Sequence, residues 1–121
     1  MTSRQGLGRL GEELARRHLE TSGYVVLNIN YRARLGEIDI VAEKDGVLVF
    51  VEVRTRRGSQ FGTPEESLTP GKQTHLISAA HQYLQANRAE DRNWRIDVVA
   101  VELDSHGKLL RVEVIENAVE G

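Results

Sequence analysis

The sequence predicts an α/β fold. Two segments carry apolar side chains at helical spacing, and five shorter segments are rich in valine and isoleucine. Their order along the chain is one helix, three strands, one helix and two strands. With 121 residues and no cysteine, the chain is long enough to bury its own core without disulfides or a structural metal. We therefore expect residues 1–121 to form a single domain.

The first helix is predicted from about residue 6 to residue 22. Leucines recur three to five positions apart along it, and Gly23 supplies a stop signal. At about 100° per residue, Glu12 lies at the margin of the apolar face, whereas Glu13 points further into solvent. Glu12 is therefore the acid that can face a neighbouring sheet. The first strand is predicted at residues 24–31.

A β-hairpin with charged residues near one end of its strands follows. In its first strand, alternation places Ile38 and Ile40 on one face and Asp39 on the other. Its second strand starts apolar but ends in Glu52 and Arg54. Antiparallel pairing brings Asp39 near Glu52, and two carboxylates at a sheet edge favour a cation. Mg²⁺ is a suitable ion because it prefers oxygen ligands.

The second half of the chain is predicted to hold a helix and two strands. Thr69 is a suitable N-cap and Pro70 occupies the first helical position of a helix that runs to about residue 86. Residues 94–103 and 109–115 are the last two predicted strands. Residues 57–69 contain two glycines and a proline without clear periodicity, so we predict a loop beside the charged strand end.

Charge and hydropathy limit the possible classes of protein. The net charge of −2 argues against a surface that is basic throughout. Arginines are nevertheless concentrated around the acidic hairpin, at Arg32 and Arg34 and again from Arg54 to Arg57. The N-terminal stretch is charged and amphipathic, and no apolar run approaches the length of a membrane span. We expect a cytoplasmic protein that does not bind membranes.

By itself, the spacing of Asp39, Glu52 and Arg54 is weak evidence for a metal site. A surface ion pair between Glu52 and either Arg54 or Arg32 is the commoner explanation of such a pattern. Asp97, on a predicted strand, has a similar alternative, because it can be the buried partner of an arginine.

An ordered series of short motifs extends over most of the chain, to about Leu103. The motifs are Gly8-Arg9-Leu10-Gly11-Glu12-Glu13-Leu14-Ala15, Asn30-Tyr31-Arg32 through Gly36-Glu37-Ile38-Asp39, Phe50-Val51-Glu52-Val53-Arg54-Thr55-Arg56, Gly62-Thr63-Pro64-Glu65-Glu66, Lys72-Gln73 and Arg95-Ile96-Asp97-Val98. The series resembles the YraN-type family of endonuclease-like proteins in the PD-(D/E)XK nuclease superfamily, related in fold to Holliday-junction resolvases. This resemblance implies a restriction-endonuclease-like fold, with a mixed central β-sheet flanked by α-helices.

The resemblance also implies roles for individual residues. Asp39 and Glu52 correspond to the metal-binding acids, the Val53 carbonyl to an additional ligand, and Glu12 to the helix acid that completes the site. Arg54 stands where the superfamily has a catalytic lysine. Because an arginine stays protonated, it can position water and stabilise developing negative charge but cannot act as a general base.

We therefore expect a metal-dependent endonuclease that uses Mg²⁺, with Mn²⁺ as the alternative ion, to hydrolyse DNA. Phosphate contacts carry no sequence information, so a structure-selective activity is expected. Two alternatives are a non-catalytic nucleic-acid-binding module of the same fold and a protein-interaction scaffold. By analogy with resolvases, a homodimer is expected. The expected nucleic-acid-binding residues are Arg32, Arg34, Arg56, Arg57, Lys72 and Gln73.

Overall fold

A five-stranded mixed β-sheet organises the part of the chain that the computed structural model describes, residues 4–58 and 62–120. The spatial order of the strands in the sheet is the same as their order in the sequence. Neighbouring strands are antiparallel, except that the third and fourth strands are parallel. The elements are α1 (Arg4–Thr21), β1 (Val25–Arg32), β2 (Glu37–Lys44), β3 (Val47–Arg57), α2 (Pro70–Ala86), β4 (Trp94–Leu103) and β5 (Leu109–Val119).

The predicted order of helices and strands is confirmed, and so is the mixed sheet. The N-cap of α2 is confirmed as well, because the Thr69 side chain accepts a hydrogen bond from the backbone N–H of Lys72 at 3.3 Å. β5 continues four residues beyond its predicted end at Ile115. The predicted loop contains a 3₁₀ turn, Glu65–Ser67, while its residues 59–61 lie outside the described residues.

Each helix covers one face of the sheet. Ala15 and Leu19 of α1 pack on one face, in a group of buried residues that we call the α1-side cluster. Leu76 and Tyr83 of α2 pack on the other face, in the α2-side cluster. The sheet residues of the α1-side cluster are Ile40, Ala42, Val49, Val51, Val99, Val101 and Leu103. Those of the α2-side cluster are Ile38, Val41, Leu48, Phe50, Ile96 and Val119.

Side-chain alternation fails at one point in β2. Ile38 belongs to the α2-side cluster and Ile40 to the α1-side cluster, so the prediction that they share a face is wrong. The neighbouring strand β1 behaves in the same way at this position. Its residue Tyr31, which pairs with Ile38, also packs against the α2-side cluster. Next to it, Asn30 has a φ of 51°, in the left-handed region that asparagine tolerates. This irregularity places Asp39 where the face of β2 changes.

α1 crosses the sheet closely at Gly11. A Cβ atom added to this buried glycine would lie 2.9 Å from the Thr55 Cβ on β3 and closer still to the Thr55 hydroxyl. The absence of a side chain at Gly11 thus lets the helix approach β3 and sets the position of the next residue, Glu12.

Alanine at Gly11 and at Gly8 is expected to have opposite effects on stability. Gly8 lies one turn earlier in α1 and has no atom within 4 Å of an added Cβ. Its replacement should gain about 0.5–1 kcal/mol from helix propensity. Gly11→Ala should instead lose about 1–3 kcal/mol, because overpacking pushes α1 from β3. Thermal melting of both variants checks this, and a Gly11→Ala protein that melts above the wild type would contradict the close packing.

Asp97 on β4 is fully buried and holds an irregular part of the β4–β5 pairing. Its carboxylate accepts hydrogen bonds from Arg95 Nε at 3.0 Å, from the Tyr24 hydroxyl at 3.3 Å and from the backbone N–H of Asn117 at 2.9 Å. Asn117 has a φ of 51°. The expectation that Asp97 is the buried partner of an arginine is confirmed.

Among the described residues, no helix is long and apolar enough to span a lipid bilayer.

Candidate active site

β2 and β3 stop pairing at the point where the acidic residues begin. Their ladder ends with the pair Ile40 and Val51. Beyond that pair, the Oδ2 atom of Asp39 accepts a hydrogen bond from the backbone N–H of Val53 at 2.8 Å. The side chain thus satisfies a backbone donor that has lost its neighbouring strand, which fixes the Asp39 carboxylate at the opening between the strands.

Three carboxyl groups from three elements meet at this opening. Asp39 of β2 is close enough to Glu52 of β3 for Glu52 to raise its pKa. Asp39 in turn raises the pKa of Glu12 on α1. We call Glu12, Asp39 and Glu52 the acidic cluster. The structure therefore brings together the three carboxylates that the sequence predicted, including Glu12 on the sheet-facing side of α1.

The electrostatics of the acidic cluster show that its carboxyl groups repel one another. Burial, repulsion from Asp39 and Glu37 and a hydrogen bond with Asp39 raise the pKa of Glu12 from 4.5 to about 7. Burial, a hydrogen bond with Glu52 and repulsion from Glu52 raise the pKa of Asp39 from 3.8 to about 8, against the opposing effect of the Val53 N–H. Close packing of acids without an added positive charge is thus unfavourable for their ionised forms.

Arg54 lies beside the cluster and is held from two sides. Its Nη1 atom is 3.5 Å from Glu52 Oε2, and its Nε donates to Ser67 Oγ at 2.8 Å. The Ser67 hydroxyl donates in turn to the Pro64 carbonyl at 2.5 Å. The ion pair between Glu52 and Arg54, which the sequence left as an alternative, is therefore present. It engages one of the three acids of the cluster.

Arg111 of β5 links the 3₁₀ turn that carries Ser67 to the strands β4 and β5. This arginine pairs with Glu65 of the turn at 2.8 Å, with Glu102 at 3.1 Å and with Glu113 at 2.6 Å. The hydrogen bonds that Arg111 donates to these carboxylates raise its pKa. Because the turn is anchored on β4 and β5, the Ser67 hydroxyl is held in place against Arg54.

A cleft of about 250 Å³ lies against two of the three acids of the cluster. Glu12 and Asp39 line it together with Arg9 and Arg16 of α1 and Asn30 of β1. The sequence did not indicate the two arginines or Asn30 as site residues. A usable signal was present for the arginines, since they lie three residues before and four residues after Glu12 and therefore share its side of the helix.

The residues predicted to bind nucleic acid lie on several different elements of the fold. Arg32 lines a groove that adjoins the cleft and also contains Arg9 and Glu12. Gln73 is engaged within the loop, where its Nε2 donates to the Leu68 carbonyl at 3.2 Å. The remaining predicted residues are Arg34, which is exposed after β1, Arg56 and Arg57, which are partly exposed at the end of β3, and Lys72, which is exposed in the first turn of α2.

The matched part of the chain includes the complete acidic cluster. A family model described as "Uncharacterised protein family UPF0102" matches residues 11–101. The chain belongs to the UPF0102 family. UPF0102 proteins from Syntrophus aciditrophicus, Pelotomaculum thermopropionicum and Moorella thermoacetica are 43%, 45% and 46% identical to it over 120, 116 and 116 residues. These alignments cover 96–99% of this chain and 93–97% of the relatives.

The donor atoms of this UPF0102 cleft suit a hard divalent cation. Within the described residues, no three His, Cys, Asp or Glu side chains are arranged as a ready-made metal site. The acidic cluster nevertheless offers only carboxylate oxygens, which such cations prefer. A bound cation would also offset the repulsion that raises the pKa values of Glu12 and Asp39. The oxygen donors present are therefore of the type that suits a metal ion, although their spacing does not form a complete site.

Proposed function

We propose that this UPF0102 protein is a Mg²⁺-dependent endonuclease that hydrolyses phosphodiester bonds in DNA. The observation that carries the proposal is the convergence of Glu12, Asp39 and Glu52 from α1, β2 and β3 at the place where two strands separate. Half-buried acids with raised pKa values in a cleft are typical of functional sites, because a purely structural cluster gains nothing from the repulsion.

The proposed assignment of roles follows the chemistry of each group. Asp39, Glu52 and Glu12 would hold the cation, with the Val53 carbonyl as a further oxygen donor. The chemistry that a bound Mg²⁺ would supply is neutralisation of charge at the phosphate and activation of the attacking water. We further propose a restriction-endonuclease-like fold for the domain. In support, the acids lie on α1 and on a β2–β3 hairpin next to the parallel strand pair.

Arg54 is proposed to bind the phosphate that is cleaved. Ser67 holds the Nε atom, which leaves N–H groups of the guanidinium to donate to a phosphate oxygen. A fixed cation beside the reacting phosphate stabilises the negative charge that develops in the transition state. Arg54 remains protonated and so accepts no proton from the water.

The ion pair between Glu52 and Arg54 supports a second candidate, a nucleic-acid-binding module of the same fold without turnover. In that function, Arg54 would neutralise Glu52 permanently in place of a metal ion. The module would bind DNA equally well with and without divalent cations.

The two candidates differ in metal-dependent cleavage. Labelled single-stranded, duplex, flapped and four-way DNAs are incubated with the wild type in Mg²⁺, in Mn²⁺ or in EDTA. We expect cleavage in either metal and none in EDTA, and a loss of about 10²-fold or more in Glu52→Gln. Glu90→Gln is the matched control, because Glu90 is an exposed acid in the turn between α2 and β4.

Equal cleavage by all three proteins would indicate a contaminating nuclease and would contradict the endonuclease for these substrates. Binding of DNA without cleavage in either metal would favour the second candidate.

A further inference from the structure

We propose that Arg9 and Arg16 form a phosphate-binding platform on α1 that holds a nucleic-acid backbone on both sides of Glu12. The platform rests on the proposed function, because its ligand is the backbone of the nucleic acid that the cleft would cleave. It adds two residues to the predicted contacts and gives the substrate a direction, along the axis of α1.

The first argument is the position of the two side chains. Both arginines line the cleft whose other wall carries Asp39. They lie seven residues apart in α1, which is two helical turns and about 10 Å along the axis. Glu12 is between them on the same side of the helix. A ligand that lies in the cleft along α1 therefore meets one arginine before the acidic cluster and the other after it.

The second argument is that both guanidinium groups retain hydrogen-bonding capacity. Within the described ranges, no carboxylate lies within 4.0 Å of the Arg9 side-chain nitrogens. Arg16 approaches Glu20 only at 4.0 Å, and its buried Nε has no hydrogen-bond partner in the described structure. Arg17 differs, because it donates to Glu13 at 2.8 Å. Arg9 and Arg16 can therefore donate to an anion that enters the cleft.

The third argument is the match with a phosphate backbone. Phosphates along one strand of B-form DNA advance about 3.4 Å each along the helix axis, so 10 Å corresponds to about three steps from one phosphate to the next. Arginine binds phosphate through two parallel N–H donors. The phosphate at the acidic cluster would thus be flanked by two phosphates held by Arg9 and Arg16. Arg32 lines the adjoining groove with Arg9 and extends the basic path.

The test measures DNA binding in EDTA, where metal-dependent cleavage does not occur. Arg9→Gln, Arg16→Gln and the double variant are compared with the wild type on a labelled duplex at several salt concentrations. Arg17→Gln is the matched control, because it removes the same charge from the same helix outside the cleft. Melting temperatures of all variants confirm that α1 is intact.

We expect each single variant to weaken binding about 3–10-fold and the control to change it less than about twofold. In the double variant, the slope of log affinity against log salt should fall by about 2, since each lost phosphate contact contributes about 0.9. A double variant that binds with the affinity and slope of Arg17→Gln would overturn the platform. So would a wild type that binds no DNA.

The platform and the endonuclease can fail separately. If the wild type loses affinity through Arg9 and Arg16 but cleaves nothing in Mg²⁺ or Mn²⁺, the platform is supported and the endonuclease is wrong. If the wild type cleaves DNA but the double variant binds like the control, the endonuclease is supported and the platform is wrong.

Discussion

Asparagine in place of Asp39 is expected to abolish cleavage of DNA and, at the same time, to make the protein more stable at pH 8. The rate should fall by about 10²–10³-fold or more, because the amide replaces a negatively charged metal ligand at the centre of the acidic cluster. The amide oxygen can still accept the hydrogen bond from the Val53 N–H. Its NH₂ group can donate to Glu52 or Glu12, where Asp39 presents a repelling carboxylate.

The gain in stability should depend on pH. Folding raises the pKa of Asp39 from 3.8 to about 8. At pH 3, the Asp39 carboxyl group is protonated in both the folded and the unfolded states and does not lower the free energy of unfolding. As the pH rises toward 8, the Asp39 carboxyl group loses its proton readily in the unfolded chain but keeps it in the folded protein. The wild type therefore loses stability. We expect Asp39→Asn to exceed the wild type by on the order of 2 kcal/mol at pH 8 and to match it at pH 3.

Urea unfolding at pH 3 and pH 8, with and without Mg²⁺, measures this effect. Mg²⁺ should stabilise the wild type at pH 8 and leave Asp39→Asn unchanged, because a ligand that binds only the folded state stabilises it. The control is Asp45→Asn, in the turn between β2 and β3, where a φ of 52° suits asparagine. A loss of stability in Asp39→Asn at pH 8 would contradict the repulsion described for the acidic cluster.

Alanine in place of Asp97 is expected to destabilise the fold by about 3–5 kcal/mol, the usual loss when one partner of a buried ion pair is removed. Asp97 is 0% exposed and accepts from Arg95, Tyr24 and Asn117. Without it, Arg95 keeps the Tyr24 hydroxyl, at 3.1 Å, and Glu116, at 3.8 Å and on an exposed side chain, but no close carboxylate. The backbone N–H of Asn117 also loses its acceptor.

Urea unfolding of Asp97→Ala beside Asp104→Ala gives the comparison. Asp104 accepts two backbone N–H groups as well, from His106 and Lys108, but in an exposed turn. Its removal should cost about 1 kcal/mol, because water can replace the carboxylate there. If the free energy of unfolding falls by the same amount in both variants, burial of the Asp97 hydrogen bonds does not add to the stability of the fold.

Local signals in the sequence were sufficient for most of the fold. Thr69 and Pro70 marked the start of α2, and the alternation from Val47 to Arg54 gave the two faces of β3. Most of the acidic cluster could be predicted because Asp39 and Glu52 belong to one hairpin. Glu12 followed from its place on the helix.

The parts that could not be predicted depend on backbone conformations and distant contacts. Periodicity assumes regular strands, so it could foresee neither the left-handed Asn30 on β1 nor the change of face at Ile38 on β2. The end of β5 depends on Asp97, whose carboxylate binds Asn117 from another strand. Ser67 became a site residue only because Arg111, 46 residues from Glu65, fastens the 3₁₀ turn to the sheet.

The irregular path of β1 also bears on aggregation. β1 is an edge strand, and Val25, Leu27 and Ile29 are 61%, 44% and 52% exposed. A regular edge with such side chains is a template on which further chains can add strands. Leu27 is an extra residue in the register with β2, and Asn30 bends the backbone a few residues later. A second chain therefore finds no continuous ladder to extend, and the sheet is protected from growing into a fibril through this edge.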